Sequence, residues 1–344
     1  MRQTVVLVTG ANGEIGHGLI RYLAENTEAN VVALDVVPLD KSLRDLCSSY
    51  IVGDILDQML LGRLVVEHEI ATIFHLASIL STKAEYNPET AHRINVEGTL
   101  NLLRLAVEQS QWQGTPVKFI YPSSIAAFGI PTLAEKMKAG PAKEDEWHHP
   151  TTMYGCNKLY CENLGHYYGA FYRQLAADCG TAETVDFRSI RFPGLISAET
   201  IPTGGTSDYG PEMLHAAAQG EPYACFVRPD TKIPFMVMPD AVKALVRLAH
   251  APREGISQIV YNVTSFSLSA QDIHDIVLKA FPEAQIDFEV DACRQKIVDT
   301  WPEEVDDSAA RRDWGWQPDY NCDRAFNEYL IPAIRSRYQK VAMK

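Results

Sequence analysis

Residues Thr9–Gly16 (Thr-Gly-Ala-Asn-Gly-Glu-Ile-Gly) join a short apolar run, Val5–Thr9, to a stretch of helical length, Ile15–Glu25. This glycine-spaced junction constrains the fold more than any other feature. Gly10 lets the chain turn sharply, and Gly13 removes a side chain where a pyrophosphate must approach the backbone. Gly16 permits close packing of helix on sheet. The helix N-terminus then offers free N–H groups and partial positive charge to an anion. A glycine trio alone is weak evidence; its place between a strand and a helix gives it weight.

Beyond that junction, apolar runs keep alternating with helical segments. Val31–Asp35, Tyr50–Val52, Thr72–Leu76 and Lys118–Pro122 read as strands. Pro88–Gln109 reads as a helix, with Ile94, Leu102, Leu103 and Ala106 on roughly one face. Continuous apolar strands between helices predict a parallel sheet covered on both faces, an α/β doubly wound fold. The second half is less regular. A helix from Tyr154 is expected to continue through Leu164–Ala177, followed by a strand at Val185–Arg191 and a loop at Ile201–Gly210. Asp240–His250 reads as a helix, and Ile259–Val263 and Gln285–Val290 as strands. Ser269 and Asp272 have capping-box spacing ahead of Ile273, Ile276 and Val277. The expected organisation is a dinucleotide-binding unit over residues 1–190 with a return segment at 240–263. A smaller substrate lobe, 191–239 and 264–335, is interleaved with it.

Composition narrows the function. The 344 residues carry 31 Lys+Arg against 44 Asp+Glu, a net charge of −13, and no basic cluster. A nucleic-acid partner is therefore not expected. No run of about 20 apolar residues exists to span a membrane. The seven cysteines (47, 156, 161, 179, 225, 293, 322) form no CxxC pair, so free thiols, a cytoplasmic setting and no metal site are expected. His148 and His149 lack ligand partners at metal-binding spacing.

Two further constellations carry chemistry. Asp35 ends the second strand nineteen residues after Gly16, placed to accept from both hydroxyls of an adenosine ribose and to repel a 2′-phosphate. Val36 and Val37 follow instead of an arginine, which favours NAD over NADP. Tyr154 and Lys158 stand at i and i+4, so a helix puts them on one face. A cation beside a phenol lowers its pKa and favours a usable base. Thirty residues upstream, Tyr121-Pro122-Ser123-Ser124 closes the fifth strand, where ligands of open α/β sheets bind. Ser124 is taken over its neighbour Ser123 as the hydroxyl facing the reacting oxygen. His75, at the end of a strand, reads as packing or cofactor-adjacent.

Together these segments resemble the extended short-chain dehydrogenase/reductase family, the NAD-dependent epimerase/dehydratases. The matching pieces include Thr9–Gly16, His75-Leu76-Ala77-Ser78, Asn95-Val96-Glu97-Gly98-Thr99, the Pro-Ser-Ser strand end, Tyr154–Lys158 and Arg191-Phe192-Pro193-Gly194. The second half is similar to one branch, the short-chain L-threonine 3-dehydrogenases. Phe192–Ala198, Gly204–Tyr209, Ile233–Asp240, Arg294–Pro302 and Asp313–Trp316 carry that likeness.

The resemblance implies that Ser124, Tyr154 and Lys158 are catalytic. It implies NAD contacts from Gly10, Asn12, Gly13, Glu14, Ile15, Gly16, Asp35, Asp54, Ile55, Leu76, Ala77, Ser78, Asn95, Tyr154, Lys158, Phe192, Pro193 and Gly194. Substrate contacts would come from Ser81, Ser123, Ser124, Tyr154, Gly205, Thr206 and Ser207. The implied reaction is oxidation of the 3-hydroxyl of L-threonine or a related 3-hydroxy acid. A sugar-nucleotide epimerase or dehydratase is the alternative, with Arg228, Arg247 and Arg294 as candidate cations for a second pyrophosphate. A non-catalytic, redox-sensing dinucleotide binder is a third reading, against which Tyr154 and Lys158 both stand. The resemblance also implies a homodimer through two long helices, with Leu102, Leu105, Leu159 and Leu164 as candidate contacts. Trp301, Trp314 and Trp316 are expected to pack the second lobe.

Overall fold

Val31, Val32, Ala33 and Leu34 are all buried, which a strand achieves only when both faces of its sheet are covered. Val31 and Ala33 enter one apolar cluster, and Val32 and Leu34 enter another on the opposite face. The computed structural model describes residues 2–176, 184–202 and 204–342. Seven parallel strands form the sheet: β1 (Thr4–Thr9), β2 (Val31–Asp35), β3 (Ser49–Val52), β4 (Glu69–His75), β5 (Lys118–Ser124), β6 (Asp186–Phe192) and β10 (Val260–Asn262). Their order is β10-β6-β5-β4-β1-β2-β3. The winding reverses between β1 and β4, which opens a crevice at the carboxyl ends of those two strands.

A second lobe covers one end of that edge. Its three-stranded sheet has the order β11-β9-β7, from β7 (Gly194–Ile196), β9 (Lys232–Val237) and β11 (Phe266–Ser269). A parallel pair joins β8 (Tyr223–Cys225) to β12 (Ile286–Phe288). The capping box at Ser269 and Asp272 is present at the start of the Ala270–Ala280 helix. A third apolar cluster, with Tyr209, Phe235, Ile273 and Phe326, forms this lobe's core.

Several elements differ from the sequence reading. The stretch from Pro88 is helical to Gln113, but Arg93–Glu97, which holds the buried Asn95, forms a π-turn. The helix carrying Tyr154 runs Met153–His166, with a π-turn to Phe171, and stops where Arg173 takes φ 54°. Ala177, the expected helix end, and Cys179 lie outside the described residues. The loop expected through Gly210 ends at Asp208, because Tyr209 and Gly210 open the Tyr209–Gln219 helix. Trp316 is fully buried in the cluster that holds Leu19, Val242 and Tyr261, so it packs the first unit's core and not the second lobe. Leu102 and Leu105 are buried in the core and offer no outer face.

His75 pins the crevice. Its Nδ1 lies 2.8 Å from Thr9 Oγ1 on β1, and its Nε2 lies 2.9 Å from Thr99 Oγ1. Burial, helped by the nearby Lys158 ammonium, pushes its pKa down to about 3. The unfolded chain binds a proton near pH 6.5 and the folded chain does not, so stability falls as pH drops below that value. Urea midpoints measured between pH 7 and pH 5 should decline in the wild type and decline less in His75→Gln. Equal declines in both proteins would remove His75 as the cause.

Candidate active site

Two adjoining cavities lie along the carboxyl edge of the sheet, and both are bordered by Gly10, Gly13, Leu76 and Ser78. The outer one is walled by Asn12, Asp35, Asp54, Ile55 and Ala77, among others. The inner one gathers Glu14, Ile15, Gly16, Ser81, Ser123, Ser124, Tyr154, Lys158, Phe192, Pro193, Gly194, Gly205 and Ser207. Segments spread over about 200 residues of chain therefore meet in one groove.

The glycine junction is shaped for a ligand's backbone contacts. Gly10 has φ +67°, and a Cβ there would stand 2.5 Å from Ala77 N, so no side chain fits where β1 turns beneath β4. A Cβ on Gly16 would meet Ala11 O at 2.4 Å. Gly16 thus serves the closeness of the helix to its own entry turn, whereas the sequence suggested packing on the sheet. Asp35 accepts from Asn12 N at 2.9 Å and from Val37 N at 3.1 Å. Each carboxylate oxygen keeps a lone pair for a further donor. A dinucleotide fits this set: an anion-binding turn, then an acceptor at the tip of the neighbouring strand.

The helix Met153–His166 brings the reactive groups to the inner cavity. Thr152 caps it, accepting from Gly155 N at 3.0 Å. Gly155 lets it press on the turn after β5, since a Cβ there would lie 2.1 Å from Ala126 O. Ser124 caps that turn through Ala126 N at 3.1 Å and borders the inner cavity with Tyr154, whose pKa it lowers. Ser123 borders the same cavity, but its hydroxyl donates to Glu162 Oε1 at 2.5 Å. Of the two neighbours, Ser124 is the one whose hydroxyl acts on the phenol, while the Ser123 hydroxyl is engaged by Glu162.

Desolvation governs the site's charges. Lys158 is 4% exposed; its Nζ donates to Pro122 O at 2.6 Å and sits 5.4 Å from the Tyr154 ring centre. Burial draws its pKa down to about 8. Burial pushes Tyr154 well above the ordinary tyrosine value, and the Ser124 hydrogen bond only partly offsets this. The sequence reading had the phenol lowered by its lysine. In the structure the loss of water around the phenolate outweighs that effect.

Two expected contacts are not on a cavity wall. Asn95 sits beneath the groove: its Oδ1 accepts from Ile79 N at 2.7 Å and Ser78 Oγ at 3.1 Å, and its Nδ2 donates to Ile79 O at 3.0 Å. These bonds shape the Ser78–Ile79 segment, which borders the outer cavity. Thr206 is buried, and its N and Oγ1 both donate to Ser81 Oγ, at 3.2 and 3.1 Å. Conversely, Leu80, Asp208 and Trp301 line the inner cavity and were missed. Asp208 had a signal, since it directly follows Thr206-Ser207. Trp301 had none, because nothing local shows that a residue so far along the chain reaches the cavity that Tyr154 borders. Among the described residues no cluster of three His, Cys, Asp or Glu could hold a metal. Nor is any helix among them long and apolar enough to cross a membrane.

Comparison with known proteins agrees with this geometry. The model of the NAD dependent epimerase/dehydratase family matches residues 6–264. A protein of Bos taurus named L-threonine 3-dehydrogenase, mitochondrial, is 35% identical over 319 residues, covering 93% of this chain and 80% of that one. The solved L-threonine dehydrogenase of Phytophthora infestans is 37% identical with a TM-score of 0.80, over 98% of this chain and 99% of that chain. The L-threonine 3-dehydrogenase of Trypanosoma brucei is 34% identical with a TM-score of 0.81, over 96% and 98%. A UDP-glucose 4-epimerase of Thermotoga maritima shares the fold at 18% identity and a TM-score of 0.79. The chain belongs to the NAD-dependent epimerase/dehydratase family, the extended short-chain dehydrogenases/reductases.

Proposed function

We propose that this enzyme oxidises the 3-hydroxyl of L-threonine, or of a closely related 3-hydroxy acid, with NAD as its cofactor. The observation that carries the reading is the convergence of Ser124, Tyr154 and Lys158 on a cavity continuous with the glycine turn and Asp35. When bound, NAD supplies the hydride acceptor. Tyr154 Oη takes the proton of the substrate hydroxyl, while Ser124 orients that hydroxyl. Lys158, held by the Pro122 carbonyl, offers its charge to the phenolate as it forms. Glu14 and Asp208 on the cavity wall suit a substrate ammonium, and the Gly205–Ser207 side suits its carboxylate. Leu80 and Trp301 offer apolar surface to the methyl group. In this division of labour residues 1–190 and 240–263 supply most of the cofactor groove and the reactive side chains, and 191–239 with 264–335 close the substrate side.

The sugar-nucleotide alternative is disfavoured by where its candidate cations lie. Arg228 donates twice to Asp299 at 2.9 Å, Arg247 donates to Gly315 O at 2.7 Å, and Arg294 donates to the Gly205 carbonyl at 2.9 Å. None of the three borders either cavity.

We further propose a cytoplasmic enzyme that pairs through its Met153–His166 helix. The unpaired thiols of Cys47, Cys156, Cys161, Cys225, Cys293 and Cys322 support that compartment. Tyr160 and Tyr167 are exposed seven residues apart on the helix and its continuation, an apolar stripe suited to a second copy. A related L-threonine 3-dehydrogenase of metagenomic origin is described as monomeric. Light scattering should give twice the chain mass, and Tyr160→Glu/Tyr167→Glu should give the single mass. A monomeric wild type would refute the pairing.

Threonine with NAD should yield free reduced cofactor, measured by absorbance, and NADP should substitute poorly because Asp35 opposes its 2′-phosphate. Tyr154→Phe should lower turnover by roughly 10²- to 10⁴-fold while calorimetry shows NAD binding nearly unchanged. Ordinary turnover in that variant would exclude Tyr154 as the base.

A further inference from the structure

Behind the reactive face lies a buried ion pair that the chemistry above leaves unused. Glu162 follows Lys158 by four residues and Tyr154 by eight, so all three share one helix face. Its Oε1 accepts from Ser123 Oγ at 2.5 Å and from Arg191 Nε at 2.8 Å. Its Oε2 accepts from Arg191 Nη2 at 2.6 Å. Ser123 immediately precedes Ser124 at the end of β5, and Arg191 immediately precedes Phe192 at the end of β6. One carboxylate thus fastens the catalytic helix to both strand ends that supply the inner cavity. Arg191 also donates to Glu144 O at 2.9 Å, contacts His148 Nε2 at 3.2 Å and lies over the Phe128 ring at 4.7 Å.

Fold stability alone is a weak reason for such a pair, because burying two charges costs about as much as their attraction returns. A second buried pair on the same strand, Asp186–Arg188, shows the contrast. Arg188 Nη1 donates to Leu248 O and Ala251 O, binding the end of a helix to the sheet, and neither residue borders a cavity.

We propose that Glu162 is a positioning residue for the reaction. Through Ser123 and Arg191 it sets Ser124 and the Phe192–Gly194 segment against Tyr154, and its negative charge holds Lys158 as an ammonium. The surroundings of Lys158 support the second role. From its own helix it faces Tyr154, Cys161 and Glu162; from β5, Tyr121, at 4.6 Å from ring centre to Nζ; from β4, His75. Burial pushes Tyr121, Tyr154 and Cys161 up and His75 down, so these four are neutral near pH 7. Glu162 is the one anion among them, and the Arg191 guanidinium faces it from β6 on the side away from the phenol.

This inference rests on the dehydrogenase reading, and its test separates the two. Steady-state kinetics with threonine and NAD, and NAD affinity by calorimetry, would be measured against pH for the wild type, Glu162→Gln and Glu162→Gln/Arg191→Gln. The double variant leaves no lone buried charge, and carries the comparison if the single variant does not fold. Both variants should lose kcat by roughly 10- to 100-fold, with KM changed by less than about threefold. In Glu162→Gln the alkaline limbs of kcat/KM and of NAD affinity should both move to lower pH by about one unit; in the double variant, which removes the Arg191 cation with the Glu162 anion, they should move less. Asp186→Asn/Arg188→Gln should lower the melting temperature yet leave both limbs in place. A wild type inert toward threonine would defeat the substrate reading, and the NAD-affinity profiles would still decide the role of Glu162. Superimposable pH profiles in wild type and Glu162→Gln, or an unchanged kcat in the double variant, would overturn the proposal.

Discussion

The site depends on how closely one helix backbone approaches one strand end. Tyr154 and Lys158 reach the groove because Gly155 seats against the Ala126 carbonyl, where a methyl group would have to overlap an oxygen. The approach places Lys158 Nζ on the Pro122 carbonyl and brings Ser124 and Tyr154 to one cavity. The parallel sheet provides the rest. Its winding reverses between β1 and β4, so the Gly10 turn and the Leu76–Ser78 segment open toward the same edge.

The electrostatics follow from enclosure. Water is removed from both an ammonium and a phenol, and each charged form is disfavoured: Lys158 falls to about 8 and Tyr154 rises. Taken separately these shifts oppose the chemistry. Taken together they favour it, because a phenolate forming beside a buried ammonium turns two isolated charges into a pair in a medium of low polarity. Burial thereby supplies a reason for both residues to sit in one cavity, and it gives Glu162 its place one turn further along the same helix.

Much of the fold was legible in the sequence, for physical reasons. A strand buried on both faces must be apolar throughout, and a glycine turn between strand and helix has few other uses; β1, β2 and their junction followed directly. Tyr154, Lys158 and Asp35 were legible because their spacing fixes their geometry. What escaped depended on contacts that no local pattern encodes. Which of Ser123 and Ser124 is free to act on the phenol is decided by Glu162, 39 and 38 residues downstream, which takes the Ser123 hydroxyl. Asn95 lies in a π-turn that no local pattern announces, and Trp301 reaches the cavity from beyond a distant helix. The direction of the Tyr154 shift required knowing how much water the walls exclude.

The most direct measurement is a crystal structure of the enzyme with NAD and an unreactive threonine analogue that keeps its 3-hydroxyl. Tyr154 Oη and Ser124 Oγ should both lie within about 3.2 Å of that hydroxyl oxygen, with the Lys158 ammonium still on the Pro122 carbonyl. A hydroxyl bound away from Tyr154, or a phenol turned out of the cavity, would contradict the account.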